Sequence, residues 1–133
     1  MFAQAGRPLP CLGTTHADYF RGEVPLTRPL TAKEISSDYE THTGRVIVER
    51  MKGMDPLEMP GVLVIHHGPF TWGRSPAEAV DTALVLEQVA KMAYGSLAFE
   101  PRLAPLDRHI LEKHSLRKHG PEATYGQKKE NDR

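Results

Sequence analysis

The sequence predicts an α/β fold in a single domain, and three observations carry that reading. A chain of 133 residues holds one domain and can bury roughly two-thirds of its unfolded surface. Val62, Leu63, Val64 and Ile65 form an unbroken apolar run, which suits a strand covered on both faces. Ser75-Pro76-Ala77-Glu78 then opens a helix whose inward stripe is built of small residues, as close packing on a sheet requires.

The elements follow in order. Met1 to Ala5 reads as one helical turn stopped by Gly6, with Pro8 and Pro10 holding the next residues extended. Leu12 to Phe20 has loop character, and Pro25 and Pro29 continue an irregular stretch. Thr31 and Glu34 have capping-box spacing, in which hydroxyl and carboxylate satisfy each other's orphan N–H groups. Ile35, Tyr39, Val46, Val48 and Met51 allow a helix interrupted near Gly44, while Val46 to Val48 alone also fits a strand. The clearest strand is Gly61 to His66; Gly68-Pro69 ends it, and Phe70 to Trp72 starts a short return. The long helix carries Ala79, Ala83, Leu86, Ala90, Ala93 and Leu97 inward, with Glu87 and Lys91 as an exposed i,i+4 pair. A last helix from about Pro105 to Lys118 points Leu106, Ile110 and Leu111 inward and is capped by Gly120. Residues 128–133 read as a charged, disordered tail.

Composition narrows the function classes. Lys+Arg 17 against Asp+Glu 17 gives no basic excess, which argues against nucleic acid or an anionic membrane as partner. Met59 to Gly73 is the longest stretch without a charged residue, and it is too short to span a bilayer. The opening residues lack the basic start and apolar run of a signal peptide. A lone cysteine, Cys11, excludes an internal disulfide, so the expectation is a soluble, cytoplasmic protein.

Seven histidines make metal or acid–base chemistry the first question. His66 and His67 are neighbours, and on a regular strand they point to opposite faces and cannot share an ion. One of them is a metal ligand, or one is a hydrogen-bonded core residue and the other faces a loop. His16 and Asp18 have the spacing of a carboxylate orienting an imidazole, and equally that of a solvated turn. His114, Arg117 and His119 suit the C-terminal end of a helix as cations. Tyr125 is either a docking contact or a proton donor. No His-x-His, Cys-x-x-Cys, His-Glu-x-x-His, phosphate-binding Gly-rich loop or Gly-x-Ser-x-Gly elbow occurs, so the residues alone outline pieces of a site.

Read in series, five segments resemble the class II aldolase/adducin family and, within it, the branch that epimerises a ketopentose phosphate. They are Gly13-Thr14-Thr15-His16-Ala17-Asp18-Tyr19-Phe20, Met59-Pro60-Gly61-Val62-Leu63-Val64, His67-Gly68-Pro69-Phe70-Thr71-Trp72-Gly73, Leu116-Arg117-Lys118-His119-Gly120 and Tyr125-Gly126-Gln127. The resemblance runs in order from about Ala3 to Gln127, so residues 1–127 are expected to be the C-terminal part of one such domain.

It implies a three-layer αβα fold with a central, mostly antiparallel sheet, here incomplete, and homotetramers when full length. By its pattern, a stretch upstream carries a His-x-His pair of zinc ligands and most of the phosphate-binding loops. His67 matches the third zinc ligand, Asp18 the acid–base carboxylate, and Tyr125 the acid–base tyrosine that reaches a neighbouring subunit's site. Thr14, Glu40, His114 and Arg117 match positions near that site, whereas His66 keeps the structural reading.

The implied reaction inverts C4 of a sugar phosphate by retro-aldol cleavage and re-addition, with one Zn²⁺ per site. A class II aldolase that stops after cleavage, or a non-catalytic assembly module, is the alternative. Without the upstream strands, the Val62–Ile65 strand is expected to show an unpaired edge and an uncovered face.

Overall fold

The structure is a computed structural model that describes residues 1–121 and 123. Its elements are α1 (Thr14–Ala17), α2 (Ala32–Ser36), α3 (Tyr39–Met51), β1 (Gly61–Val64), β2 (Gly68–Thr71), α4 (Pro76–Phe99) and α5 (Arg108–His119). Helix dominates, and β1 and β2 form a two-stranded antiparallel sheet with Val62 opposite Phe70 and Val64 opposite Gly68. The 128–133 tail lies outside the described residues. Among the described residues, no helix is long and apolar enough to cross a membrane.

Local signals place most helix starts. The Thr31–Glu34 capping box forms in both directions, and Ser75 accepts the Glu78 N–H at the start of α4. Gly73 lets the chain fold back onto that start, since a Cβ there would come within 2.7 Å of the Glu78 side chain. The break between α2 and α3 falls at Ser37 rather than near Gly44, because Asp38 caps a new helix that then runs through Gly44 to Met51. Val46 is therefore helical, and the strand alternative for 46–48 is excluded.

Three further expectations are corrected. The 12–20 segment contains one helical turn, α1, held because His16, Ala17 and Phe20 are all buried. The strand ends at Val64, since residues 65–67 form the hairpin turn. The last helix starts at Arg108, where Asp107 caps the His109 N–H, and Ile110 is exposed rather than inward.

The expected unpaired strand edge does not occur on the Leu63 side. Leu63 donates to the Pro25 carbonyl at 2.8 Å and accepts from the Thr27 N–H at 2.9 Å, a parallel bridge. Ile65 N–H adds a bond to the Thr27 hydroxyl at 3.2 Å. The segment that reads as irregular because of its prolines thus flanks β1, and an antiparallel Leu9–Val24 bridge extends it.

All four β1 residues are buried, so both faces of the strand are covered. Leu63 joins the core of Leu9, Phe20, Val24, Leu86, Val89 and Ala93 on the α4 side. Val64 points the opposite way and shares a hollow with Val46 of α3. β1 thus touches α3 as well as α4. The buried stripe of α4 is Thr82, Leu86, Val89 and Ala93, close to the small-residue stripe that the spacing indicates. Cys11 is buried, and burial pushes its thiol up to about 11, so it is an inert core residue.

Candidate active site

Asp18 closes the single turn of α1, and its side chain is 13% exposed. His114 and Arg117 lie three residues apart on α5, hence on one face, and both converge on that carboxylate. Oδ1 accepts from His114 Nδ1 at 3.0 Å and from Arg117 Nε and Nη2 at 3.3 and 3.2 Å. Oδ2 takes Arg117 Nη2 at 3.1 Å. An ionised carboxylate only accepts, so His114 carries its proton on Nδ1 and presents Nε2 as the remaining ring atom. His119 Nε2–H donates to the Asp18 carbonyl at 2.7 Å, and the Lys118 ammonium stands 3.2 Å from the Tyr19 ring centroid. These polar contacts dock α5, since Ser115 is its only buried residue.

The His16–Asp18 pairing that the spacing allows is not made. Residues i and i+2 on a helix face apart, and His16 turns into the core at 3% exposure. There its Nε2–H donates to the Gly22 carbonyl at 2.8 Å, and its ring meets Phe20 edge-on. Burial lowers its pKa to about 4, which makes it a neutral structural imidazole. The imidazole that Asp18 orients is His114, far along the chain. Spacing carries no signal for this pairing; only the family resemblance puts His114 and Arg117 near the Asp18 position.

His67 sits in the β1–β2 turn, exposed, with its ring stacked on Phe70 at 5.3 Å. It borders a cavity of about 170 Å³ together with Gln4, Leu63, Leu86 and Glu87. His66 is also exposed, at φ 63 in the turn, and its N–H bonds the Ala3 carbonyl. Neither neighbour is a core histidine, because the strand ends before both. The strand-face argument that separates them does not apply in a turn.

Thr14 stands one turn before Asp18 on the same face of α1, exposed. Glu40 is exposed in the first turn of α3, which packs on α2 and β1 and not on α1 or α5. Tyr125 lies outside the described residues. The described site residues therefore fall apart into Asp18, His114 and Arg117 with Thr14 alongside, His67 at its cavity, and Glu40 separate from both. A second hollow, about 330 Å³ between the N-terminal turn and the end of α4, is mostly apolar and is lined by none of them.

The donor chemistry at His67 fits one leg of a zinc site. The ring is accessible and open space lies beside it. A catalytic zinc takes about three protein ligands, and among the described residues no group of three His, Cys, Asp or Glu could hold an ion.

Comparison with known proteins decides the family. The Class II Aldolase and Adducin N-terminal domain matches residues 1–94. The chain belongs to the class II aldolase/adducin family. It is 50% identical over 127 residues to the L-ribulose-5-phosphate 4-epimerase UlaF of Salmonella paratyphi C (strain RKS4594), covering 96% of this chain and 56% of the relative. The proteins of that name from Salmonella choleraesuis (strain SC-B67) and Salmonella typhi match over the same extent at the same identity. The chain thus spans a little over half the length of these curated relatives.

Proposed function

We propose that the chain forms part of a zinc-dependent epimerase that interconverts L-ribulose 5-phosphate and D-xylulose 5-phosphate. The observation that carries this reading is the 50% identity to the UlaF epimerases over nearly the whole chain. The convergence of His114 and Arg117 on Asp18 supports it from the geometry.

In this reading, breaking the C3–C4 bond leaves an enediolate and an aldehyde, and turning the aldehyde before re-addition inverts C4. Zinc, held by His67 and ligands from outside the described residues, supplies Lewis-acid stabilisation of the enediolate charge when bound. Asp18 exchanges the C4 hydroxyl proton on one face of the substrate, and Tyr125 serves the opposite face. Oδ2 suits the proton transfer, since Oδ1 meets three donor atoms and Oδ2 one. Arg117 and His114 fix the carboxylate in one orientation and stabilise its charge. The cavity beside His67 is lined by neither Asp18 nor another residue of its cluster, and in this reading a homo-oligomer brings the two groups to one substrate.

The test is a chimera that joins this chain to the part of the Salmonella paratyphi C relative that it does not match. The chimera is expected to turn over L-ribulose 5-phosphate and not to cleave L-fuculose 1-phosphate. Asp18→Asn in a folded chimera should lower kcat by 10²–10⁴-fold, the usual range for an acid–base group. The chain alone is expected to be inactive. Cleavage of L-fuculose 1-phosphate in place of epimerisation would establish the aldolase alternative and refute the proposal.

A further inference from the structure

We infer that His119 is a positioning residue for Asp18, holding the backbone of that residue in the register in which its carboxylate meets His114 and Arg117. This role belongs to the reading of Asp18 as the acid–base group. His119 Nε2–H donates to the Asp18 carbonyl at 2.7 Å, which is shorter than any of the 3.0–3.3 Å bonds that His114 and Arg117 make to the carboxylate.

Asp18 needs a tie of this kind. It is the C-cap of a four-residue helix, which is too short to be stable alone, and the last carbonyls of a helix have no partner within it. His114 and Arg117 act on the carboxylate, which is two torsions removed from the main chain, so they orient the group without fixing its Cα. His119 acts on the main chain itself. It is the last residue of α5 and stands about 140° around the helix axis from His114, so it reaches Asp18 from a different side. The neighbouring residues add a second tie between the same two segments, the Lys118 ammonium standing 3.2 Å from the Tyr19 ring centroid. α5 thereby grips the backbone and the side chain of one residue at once. That matters for proton transfer, because a misplacement of about 1 Å can cost 10²-fold in rate.

Two measurements test the inference. In the full chain, the ¹⁵N shifts of His114 report whether the Asp18 carboxylate still takes its Nδ1–H. In His119→Ala the tautomer balance of His114 should move toward that of a free imidazole. In His119→Gln, whose amide N–H₂ still donates to the carbonyl, it should stay near wild type. Amides of residues 108–116 should keep more protection in His119→Ala than in Asp18→Asn, because the two ties on the carboxylate remain. In the folded chimera, His119→Ala should lower kcat about tenfold with KM within about twofold, and His119→Gln should recover most of the loss. Unchanged His114 shifts in His119→Ala would overturn the positioning role, and so would α5 protection as low as in Asp18→Asn. A His114 tautomer that moves as expected, in a chimera whose kcat is unaffected by Asp18→Asn, would instead overturn the acid–base reading of Asp18.

Discussion

Replacing Asp18 by asparagine keeps the side chain's shape, removes its charge and sets an amide N–H₂ against Arg117 or His114. The cost lies between two limits. Exposed ion pairs contribute about 0–1 kcal/mol, whereas breaking a buried pair from one side costs about 3–5 kcal/mol. Asp18 and His114 are 13% and 18% exposed and Arg117 is 37% exposed, so solvent screens part of the interaction. A value of about 2 kcal/mol follows, or roughly thirtyfold in an opening equilibrium.

The loss should be local, because α5 has little apolar surface to hold it once the carboxylate is gone. Ile110 and Leu116 are 43% and 49% exposed, and the core cluster contains no residue of this helix. Amide hydrogen exchange is the assay. Amides of residues 108–119 should exchange about thirtyfold faster in Asp18→Asn, while those of β1 and the centre of α4 keep their protection. Unchanged protection in α5 would refute the polar-docking argument, and so would a uniform loss across all elements.

Acid should destabilise the chain through His16. Its folded pKa is about 4 against an ordinary 6.5, so the unfolded chain binds more protons between those values and stability falls as pH drops through that window. The full effect is about 3 kcal/mol, read as urea midpoints at pH 7, 5.5 and 4, and His16→Gln should flatten the slope. At the exposed start of α4, Ser75→Ala removes the acceptor for the Glu78 N–H, a 3.2 Å bond, and should cost about 1 kcal/mol in thermal unfolding. No fall in Tm would show that the backbone of α4 needs no cap there.

Where short-range chemistry decides an element, the sequence was readable. Thr31 with Glu34, and Ser75 with Pro76 and Glu78, mark helix starts because each signal satisfies orphan N–H groups within one turn. The apolar run at 62–64 marks a strand buried on both faces for the same local reason. Elements set by distant partners were not readable. Four residues of α1 have no helical pattern of their own and owe their turn to the burial of His16 and Ala17. Pro25 and Leu26 carry no strand signal, yet they flank β1. Spacing turns Ile110 of α5 inward, yet it is exposed, because a polar grip on Asp18 orients that helix instead of its hydrophobic residues. Asp18, His114 and Arg117 could be named as one group only through family resemblance, since almost a hundred residues separate the two ends.

The parallel bridge at Leu63 carries a kinetic consequence. Thr27 and Ile65 are 38 residues apart, with α2 and α3 looped out between them, so this stretch is a crossover connection. Its closure entropy must be met before any of its bonds forms, whereas the β1–β2 hairpin closes over a three-residue turn. The hairpin and α4 are therefore expected to assemble early, with the Pro25–Thr27 segment clasping them late. Until it does, the Leu63 edge is bare, and association between chains at that stage competes directly with folding.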